Sequence, residues 1–96
     1  MLKRLVKMTF QEDKVEDFIQ VFEASKQRIR SFPGCQHLEL WRTGNIFFTY
    51  SIWEDEASLN HYRYSALFKT TWARTKALFA EKAEAWSLEL VDRVMG

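Results

Sequence analysis

The sequence has one cysteine, one proline and three glycines among 96 residues, and it has almost no net charge. A single cysteine, Cys35, cannot form an intrachain disulfide, which fits a reducing compartment. The net charge of +1 lacks the basic excess expected of a sequence-independent nucleic-acid binder. No run approaches the roughly 18 apolar residues of a membrane span, and the first residues are too charged for the apolar core of a signal peptide. We therefore expect a cytoplasmic protein that binds neither nucleic acid nor membranes.

Aromatic side chains are abundant, with eight Phe, four Trp and three Tyr making up 16% of the residues. A chain of this length forms one domain, over residues 1–96, and buries roughly two thirds of its unfolded surface. So small a core does not readily enclose this much ring surface. We expect some of the rings to line a pocket or a subunit interface.

Hydrophobic periodicity predicts four strands and two helical regions in the order β-α-β-β-α-β. The first strand alternates regularly, and Arg4 is the only charged residue on its apolar side. The predicted strands are 2–10, 35–42, 46–53 and 86–94, and the predicted helical regions are 11–32 and 54–85.

Turn and capping residues mark the boundaries between these elements. Asp13 followed by Glu16 resembles a capping box at the start of the first helix. Pro33-Gly34 is expected to end that helix, and residues 43–45 predict a hairpin turn between two strands. Ser65 can cap a new segment, so the second helical region is expected to have two parts.

This order is the split βαβ, or ferredoxin-like, pattern of an α+β fold: a four-stranded antiparallel sheet with the helices on one face. The strand 46–53 carries rings or β-branched residues on both faces, which predicts a sheet covered on both sides. Since the helices cover only one face, we expect a homodimer formed through the other. Trp41 and Phe47 are expected on that second face.

Several short motifs resemble those of the antibiotic biosynthesis monooxygenase (ABM) domain family, in the dimeric α+β barrel superfamily. They are the turn Phe32-Pro33-Gly34-Cys35, the junction Trp53-Glu54-Asp55-Glu56-Ala57, His61 eight residues after Trp53, and Ser65-Ala66-Leu67-Phe68. The resemblance implies a homodimeric barrel with a cavity between sheet and helices in each subunit. It further implies cofactor-independent oxygenation of a small aromatic, quinol-like or polyketide-like compound, in which the deprotonated substrate itself reduces dioxygen.

A second branch of that family degrades haem, and the sequence departs from its pattern. Those relatives have an asparagine on the first strand, which is absent here. Tyr62 aligns with their tryptophan and Trp72 with their haem-ligating histidine, so the usual axial ligand is missing. The expected cofactor is therefore none.

His61 is the candidate general base, because removing a substrate proton suits a side chain that titrates near neutral pH. The alternative is a surface histidine without a catalytic role. The candidate substrate-binding residues are aromatic residues near His61 in sequence, whose rings could stack on a planar ligand. The alternative for those on the helix is that they pack in the hydrophobic core without contacting a ligand. These residues are Tyr50, Trp53, Tyr62, Tyr64, Phe68 and Trp72.

Three other residue patterns give no comparable indication of a catalytic, metal-binding or RNA-binding site. Cys35 and His37 are expected on one strand face, but about 6.5–7 Å is too far for a thiolate–imidazole pair. Two histidines and one cysteine show no metal-ligand spacing, so no metal is expected. The segment 42–50 resembles the ring-bearing strand of RNA-recognition motifs only superficially. A non-catalytic ligand-binding or structural homodimer on the same scaffold remains the alternative function.

Overall fold

The computed structural model describes residues 1–96 as four strands and three α-helices. Its elements are β1 (Leu2–Thr9), α1 (Val15–Arg30), β2 (Cys35–Thr43), β3 (Ile46–Trp53), α2 (Glu56–Arg63), α3 (Ala66–Lys76) and β4 (Glu84–Leu88), with a 3-10 turn at Glu12–Lys14 before α1. This confirms the predicted order, including the division of the second helical region in two.

The strands form one antiparallel sheet in the order β2-β3-β1-β4. The sheet and the helices that pack on it confirm the ferredoxin-like α+β fold. Gly44 in the β2–β3 hairpin has a φ of +59°, which glycine adopts without steric cost. None of the helices combines the length and the apolar character needed to cross a membrane.

The buried side chains form two separate clusters between the sheet and the helices. The larger consists of Met8, Phe10, Val15, Phe18 and Phe47. Its rings are tightly packed, with Phe10 stacked on Phe18 at a centroid distance of 4.1 Å. The smaller cluster, at the other end of β3, consists of Cys35, Trp53 and Leu59. The space between the two clusters is where the cavity described below lies.

Two predictions at the ends of elements are wrong. No side chain caps α1, because Glu12–Lys14 form a 3-10 turn and Lys14 occupies the N-cap position that was expected of Asp13. The last strand ends at Leu88 rather than at residue 94. Leu88 pairs with Lys3, and β1 begins one residue earlier at Leu2, so β1 offers almost no backbone for a longer β4 to bond.

Two predictions about strand faces are also wrong. Phe47 is 2% exposed and packs in the larger cluster on the helix side, whereas Trp41 is 60% exposed on the opposite face. A register shift after Cys35 separates it from His37, so that Cys35 lies opposite Trp53 and His37 lies opposite the preceding residue of β3. Neighbouring strand residues point to opposite faces, so Cys35 and His37 do not share one.

Candidate functional site

A cavity of about 340 Å³ lies between the helices and the sheet. This is near the lower end of the range for small-molecule sites, roughly 300–1,000 Å³. The strands contribute Arg4, Val6, Met8, Leu38, Thr49, Ser51, Trp53 and Ala85. The helices contribute Phe18, Val21, Phe22, Ser25, Ile29, Leu59, Tyr62, Arg63, Phe68, Thr71, Trp72 and Thr75.

Small polar side chains line the helical part of the cavity wall. Ser25 on α1 and Thr75 on α3 are both buried in the wall. Their hydroxyls donate to carbonyls of their own helices, Ser25 Oγ to Val21 at 2.8 Å and Thr75 Oγ1 to Thr71 at 2.7 Å. Since these hydroxyls are already satisfied, this part of the wall presents mainly apolar atoms.

One wall of the cavity is a continuous series of aromatic rings. Trp53 stacks on Tyr62 at 4.9 Å, and Tyr62 meets the edge of Phe68 at 5.2 Å. Phe68 in turn lies parallel to Trp72, with centroids 5.8 Å apart and planes inclined by 10°. These ring faces and edges suit a planar aromatic ligand.

The rings nearest β3 are fixed by hydrogen bonds and burial. Trp53 is 1% exposed, and its indole Nε1 donates to Ser51 Oγ at 3.0 Å. Burial, with a smaller contribution from Cys35, raises the pKa of Tyr62 far above the usual value for a phenol. Tyr62 therefore stays neutral at alkaline pH values at which an exposed tyrosine ionises.

Two N-caps set the positions of α2 and α3. The Asp55 carboxylate accepts a hydrogen bond from the Ser58 amide at 2.7 Å, which lowers the pKa of Asp55. Ser65 Oγ accepts from the Phe68 amide at 3.1 Å and donates to the Tyr62 carbonyl at 2.6 Å. Ser65 thus links the end of α2 to the start of α3 and fixes two of the wall's rings relative to each other.

Two arginines are the only charged residues of the cavity wall. Arg4 projects from the helix-facing side of β1, and its Nη1 donates to Ser87 Oγ on β4 at 3.2 Å. Burial, followed by repulsion from Arg63, lowers the pKa of Arg4. Arg63 is the last residue of α2 and is exposed.

Four of the seven sequence-predicted site residues line this cavity, namely Trp53, Tyr62, Phe68 and Trp72. The remaining three do not. Tyr50 lies on the opposite face of the sheet, beside His37, because it is an odd number of residues from Trp53 along β3. Tyr64 follows the last turn of α2 and is 76% exposed.

His61 also lies outside the cavity. Leu59 and Tyr62 form the inward face of α2 at a spacing of three residues, and His61 between them is exposed. Its imidazole meets the edge of Phe32 at a centroid distance of 5.5 Å. The expectation that His61 removes a substrate proton has no geometric support from the cavity.

Sequence reasoning missed Arg4 and Arg63 as site residues. A signal for Arg4 was present, because it interrupts an otherwise apolar strand face. Nothing comparable marks Arg63, whose position depends on where α2 ends. Across the structure, no group of three or more His, Cys, Asp and Glu residues is arranged to hold a metal ion.

Comparison with known proteins gives matches at the level of the family and the fold. The family model described as antibiotic biosynthesis monooxygenase matches residues 1–74. A crystal structure of an antibiotic biosynthesis monooxygenase superposes with a TM-score of 0.90 at 16% identity, covering 96% of this chain and 100% of that chain. A search of curated proteins gives no match.

Two further solved structures show the same fold. A conserved protein from Methanosarcina mazei Go1 superposes with a TM-score of 0.87 at 18% identity, covering 91% of this chain and 89% of its own. A single-site mutant of SnoaB, a cofactor-independent oxygenase from Streptomyces nogalater, superposes with a TM-score of 0.84 at 16% identity, covering 97% of this chain and 95% of its own. At such identities the likeness shows a common fold.

Proposed function

The chain belongs to the antibiotic biosynthesis monooxygenase family, and on this premise we propose that it is a cofactor-independent monooxygenase of a small aromatic, quinol-like or polyketide-like compound. The observation that carries the proposal is the ring-lined cavity between sheet and helices. SnoaB, which has the same fold, is a cofactor-independent oxygenase, and this supports the reaction class.

The proposed reaction needs no electron donor besides the substrate. A ring methylene is oxidised to a carbonyl by one molecule of dioxygen, and the second oxygen atom leaves as water. The methylene carbon loses both hydrogens, which end in that water, so atoms and electrons balance. Such a reaction is favoured by an ionisable, electron-rich ring held in a mainly apolar site.

The chain would contribute binding and orientation. Trp53, Tyr62, Phe68 and Trp72 offer ring faces and edges on which a planar substrate can stack. Tyr62 is a neutral phenol at physiological pH and burial raises its pKa further, so its hydroxyl can donate a hydrogen bond to a substrate oxygen.

Oxygen uptake with quinols and anthrone-like compounds tests this proposal. Thr49→Phe would place a ring in the cavity from β3, so binding and oxygen uptake should both be lost. Thr70→Phe makes the same substitution on an exposed position of α3 outside that cavity, and activity should be retained. Equal activity of the two variants would contradict a reaction in this cavity.

A second candidate is a ligand-binding protein without turnover on the same scaffold. One observation favours it: the titratable groups of the wall are Arg4, Arg63 and Tyr62, none of which is an ordinary general base near neutral pH. Aromatic ligands that bind in the cavity while oxygen uptake stays at the uncatalysed rate would support this candidate.

The active form is proposed to be a homodimer that pairs the helix-free sheet faces. Trp41 on β2 is 60% exposed and Trp86 on β4 is 43% exposed, and Leu88 follows Trp86 on the same face of its strand. Burial of these side chains against a second copy would remove this apolar surface from water.

A further inference from the structure

Arg4 and Arg63 are the only charged residues that line the mainly apolar cavity, and neither has an acidic partner. The ion pairs of the chain are Lys7–Glu84, Lys26–Glu23 and His37–Glu39. Neither cavity arginine takes part in one. The only hydrogen bond from the Arg4 guanidinium to another protein group joins it to Ser87 Oγ, so its remaining donors face the cavity or solvent.

Arg4 is partly buried among apolar neighbours in the sheet. Its strand neighbours on the same face, Leu2, Val6 and Met8, are all apolar. Taking a guanidinium partly out of water without a counter-charge is unfavourable. Arg63 adds a second positive charge close enough to lower the pKa of Arg4. Burial and the second positive charge both disfavour the charged form of Arg4, whereas an anion bound beside it would favour that form.

We propose that Arg4, with Arg63 at the end of α2, forms an oxyanion-binding subsite of the cavity, so that the bound molecule is an aromatic oxyanion: an ionised phenol or enol, or an aromatic carboxylate. This rests on the proposed function in that it names the charge state of the molecule held in the same cavity. The rings of Trp53, Phe68 and Trp72 bind the planar part, and the guanidinium donates charge-assisted hydrogen bonds to the anionic oxygen.

Ser87 has a positioning role in this subsite. It lies directly opposite Arg4 in the β1–β4 pairing and accepts from Nη1 at 3.2 Å. This bond restricts a long side chain to one side of the cavity and leaves its other donors free.

The cavity wall has no ordinary general base, and for the aromatic reaction proposed above the subsite would instead promote ionisation of the substrate. A cation beside an acidic phenol or enol lowers the pKa of that group and so raises the fraction of the electron-rich anion. The proton passes to water, and no basic side chain is needed.

Three probes of the same ring test the subsite: nitrobenzene, 4-nitrophenol and 4-nitrobenzoate. Calorimetry gives the affinity of each, and the visible absorbance of 4-nitrophenolate gives its ionised fraction when bound. With the unmodified protein, both anionic probes should bind roughly tenfold or more tightly than nitrobenzene, and bound 4-nitrophenol should be more ionised than free 4-nitrophenol at the same pH. If only one anion gains affinity, that result identifies the phenolate or the carboxylate as the preferred group.

Arg4→Met should remove this preference without weakening the binding of nitrobenzene, and Arg4→Lys should restore part of it. Arg63→Gln provides a second variant at an exposed position where folding is not in question. Arg74→Gln removes the same charge from an exposed position of α3 outside this cavity, and the preference should remain.

The outcomes separate the two proposals. Equal binding of all three probes, or an anion preference that survives both Arg4→Met and Arg63→Gln, overturns the subsite and leaves the aromatic cavity standing. Failure of all three probes to bind counts against both proposals. An anion preference lost in both cavity variants and kept in Arg74→Gln supports the subsite.

Discussion

The indole of Trp53 stacks on the phenol ring of Tyr62, with centroids 4.9 Å apart and planes inclined by 24°. This contact joins the last residue of β3 to the inward face of α2. Trp53 is a member of the smaller buried cluster and Tyr62 packs against that cluster. Both residues also line the cavity. Substitutions at these two positions are therefore expected to affect both stability and ligand binding.

Tyr62→Phe should change how stability depends on alkaline pH. Burial raises the pKa of Tyr62 in the folded chain above the ordinary value for a tyrosine, about 10. Above about pH 10 the unfolded chain loses this proton while the folded chain keeps it, so the free energy of unfolding falls as the pH rises. Urea unfolding between pH 9 and 11 should show a smaller fall for Tyr62→Phe than for the unmodified protein. Identical slopes would mean that the phenol is not buried as described.

Trp53→Ala should lower the free energy of unfolding by about 3–5 kcal/mol, because it removes a fully buried indole that makes a hydrogen bond to Ser51. Urea unfolding followed by circular dichroism measures the change. Tyr64→Ala is the matched control, since Tyr64 is 76% exposed, and it should change the free energy by no more than about 0.5 kcal/mol. Comparable losses in the two variants would argue against the burial of Trp53.

Gly34→Ala should be more destabilising than Gly44→Ala, although both glycines have positive φ. Each substitution incurs the left-handed backbone cost of about 1–2 kcal/mol. At Gly44 the added methyl meets open space, but at Gly34 it collides with the side chain of Ser58 on α2. Ser58→Gly in the Gly34→Ala background should recover part of the difference in a double-mutant cycle. No recovery would show that the Ser58 contact is not the cause.

His61→Ala should leave oxygen uptake on a true substrate nearly unchanged from that of the unmodified protein. The exposed position of the imidazole on α2, outside the cavity, is the reason. Loss of a general base costs about 10²–10⁴-fold in rate, so the two outcomes are well separated. Trp72→Ala, which removes a ring from the wall, should weaken substrate binding in the same assay. A loss of rate of that larger size in His61→Ala would restore the histidine to the mechanism.

Trp86→Glu should convert the proposed homodimer to a monomer. Trp86 lies on the helix-free face of β4, so a carboxylate there would be buried without a partner in a face-to-face dimer. Light scattering should give twice the chain mass of 11.5 kDa for the unmodified protein and once that mass for the variant. Tyr64→Glu, on the helical side, should remain dimeric. A monomeric unmodified protein would rule out this interface.

The fold could be predicted from the sequence because its signals are local. The β-branched and aromatic residues of 46–53, the turn at 43–45 and the Ser65 cap each determine an element through nearby contacts. The extent of β4 could not be predicted in this way, because it depends on where β1 begins. The face of His37 likewise depends on a register shift between β2 and β3 that the residues do not signal.

For the site, closeness in sequence was a poor guide. His61 and Tyr64 are neighbours of Tyr62 in sequence, but the turn of α2 and its end leave both of them exposed outside the cavity. Rings separated by three or four residues, Phe68 and Trp72 among them, do share the cavity wall. Arg4 is far away in sequence from the wall residues at the end of α2, and only the folded sheet brings it to them.

Because the cavity separates the two packed clusters, a molecule bound in it would also stabilise the folded chain. A ligand that fills this cavity only in the folded state, present at 100 times its dissociation constant, adds about 2.7 kcal/mol to the free energy of unfolding. For a domain of this size, that corresponds to a rise in melting temperature of roughly 10 °C or more. A thermal-shift screen of aromatic compounds can therefore rank ligands for this protein before any reaction product has been identified.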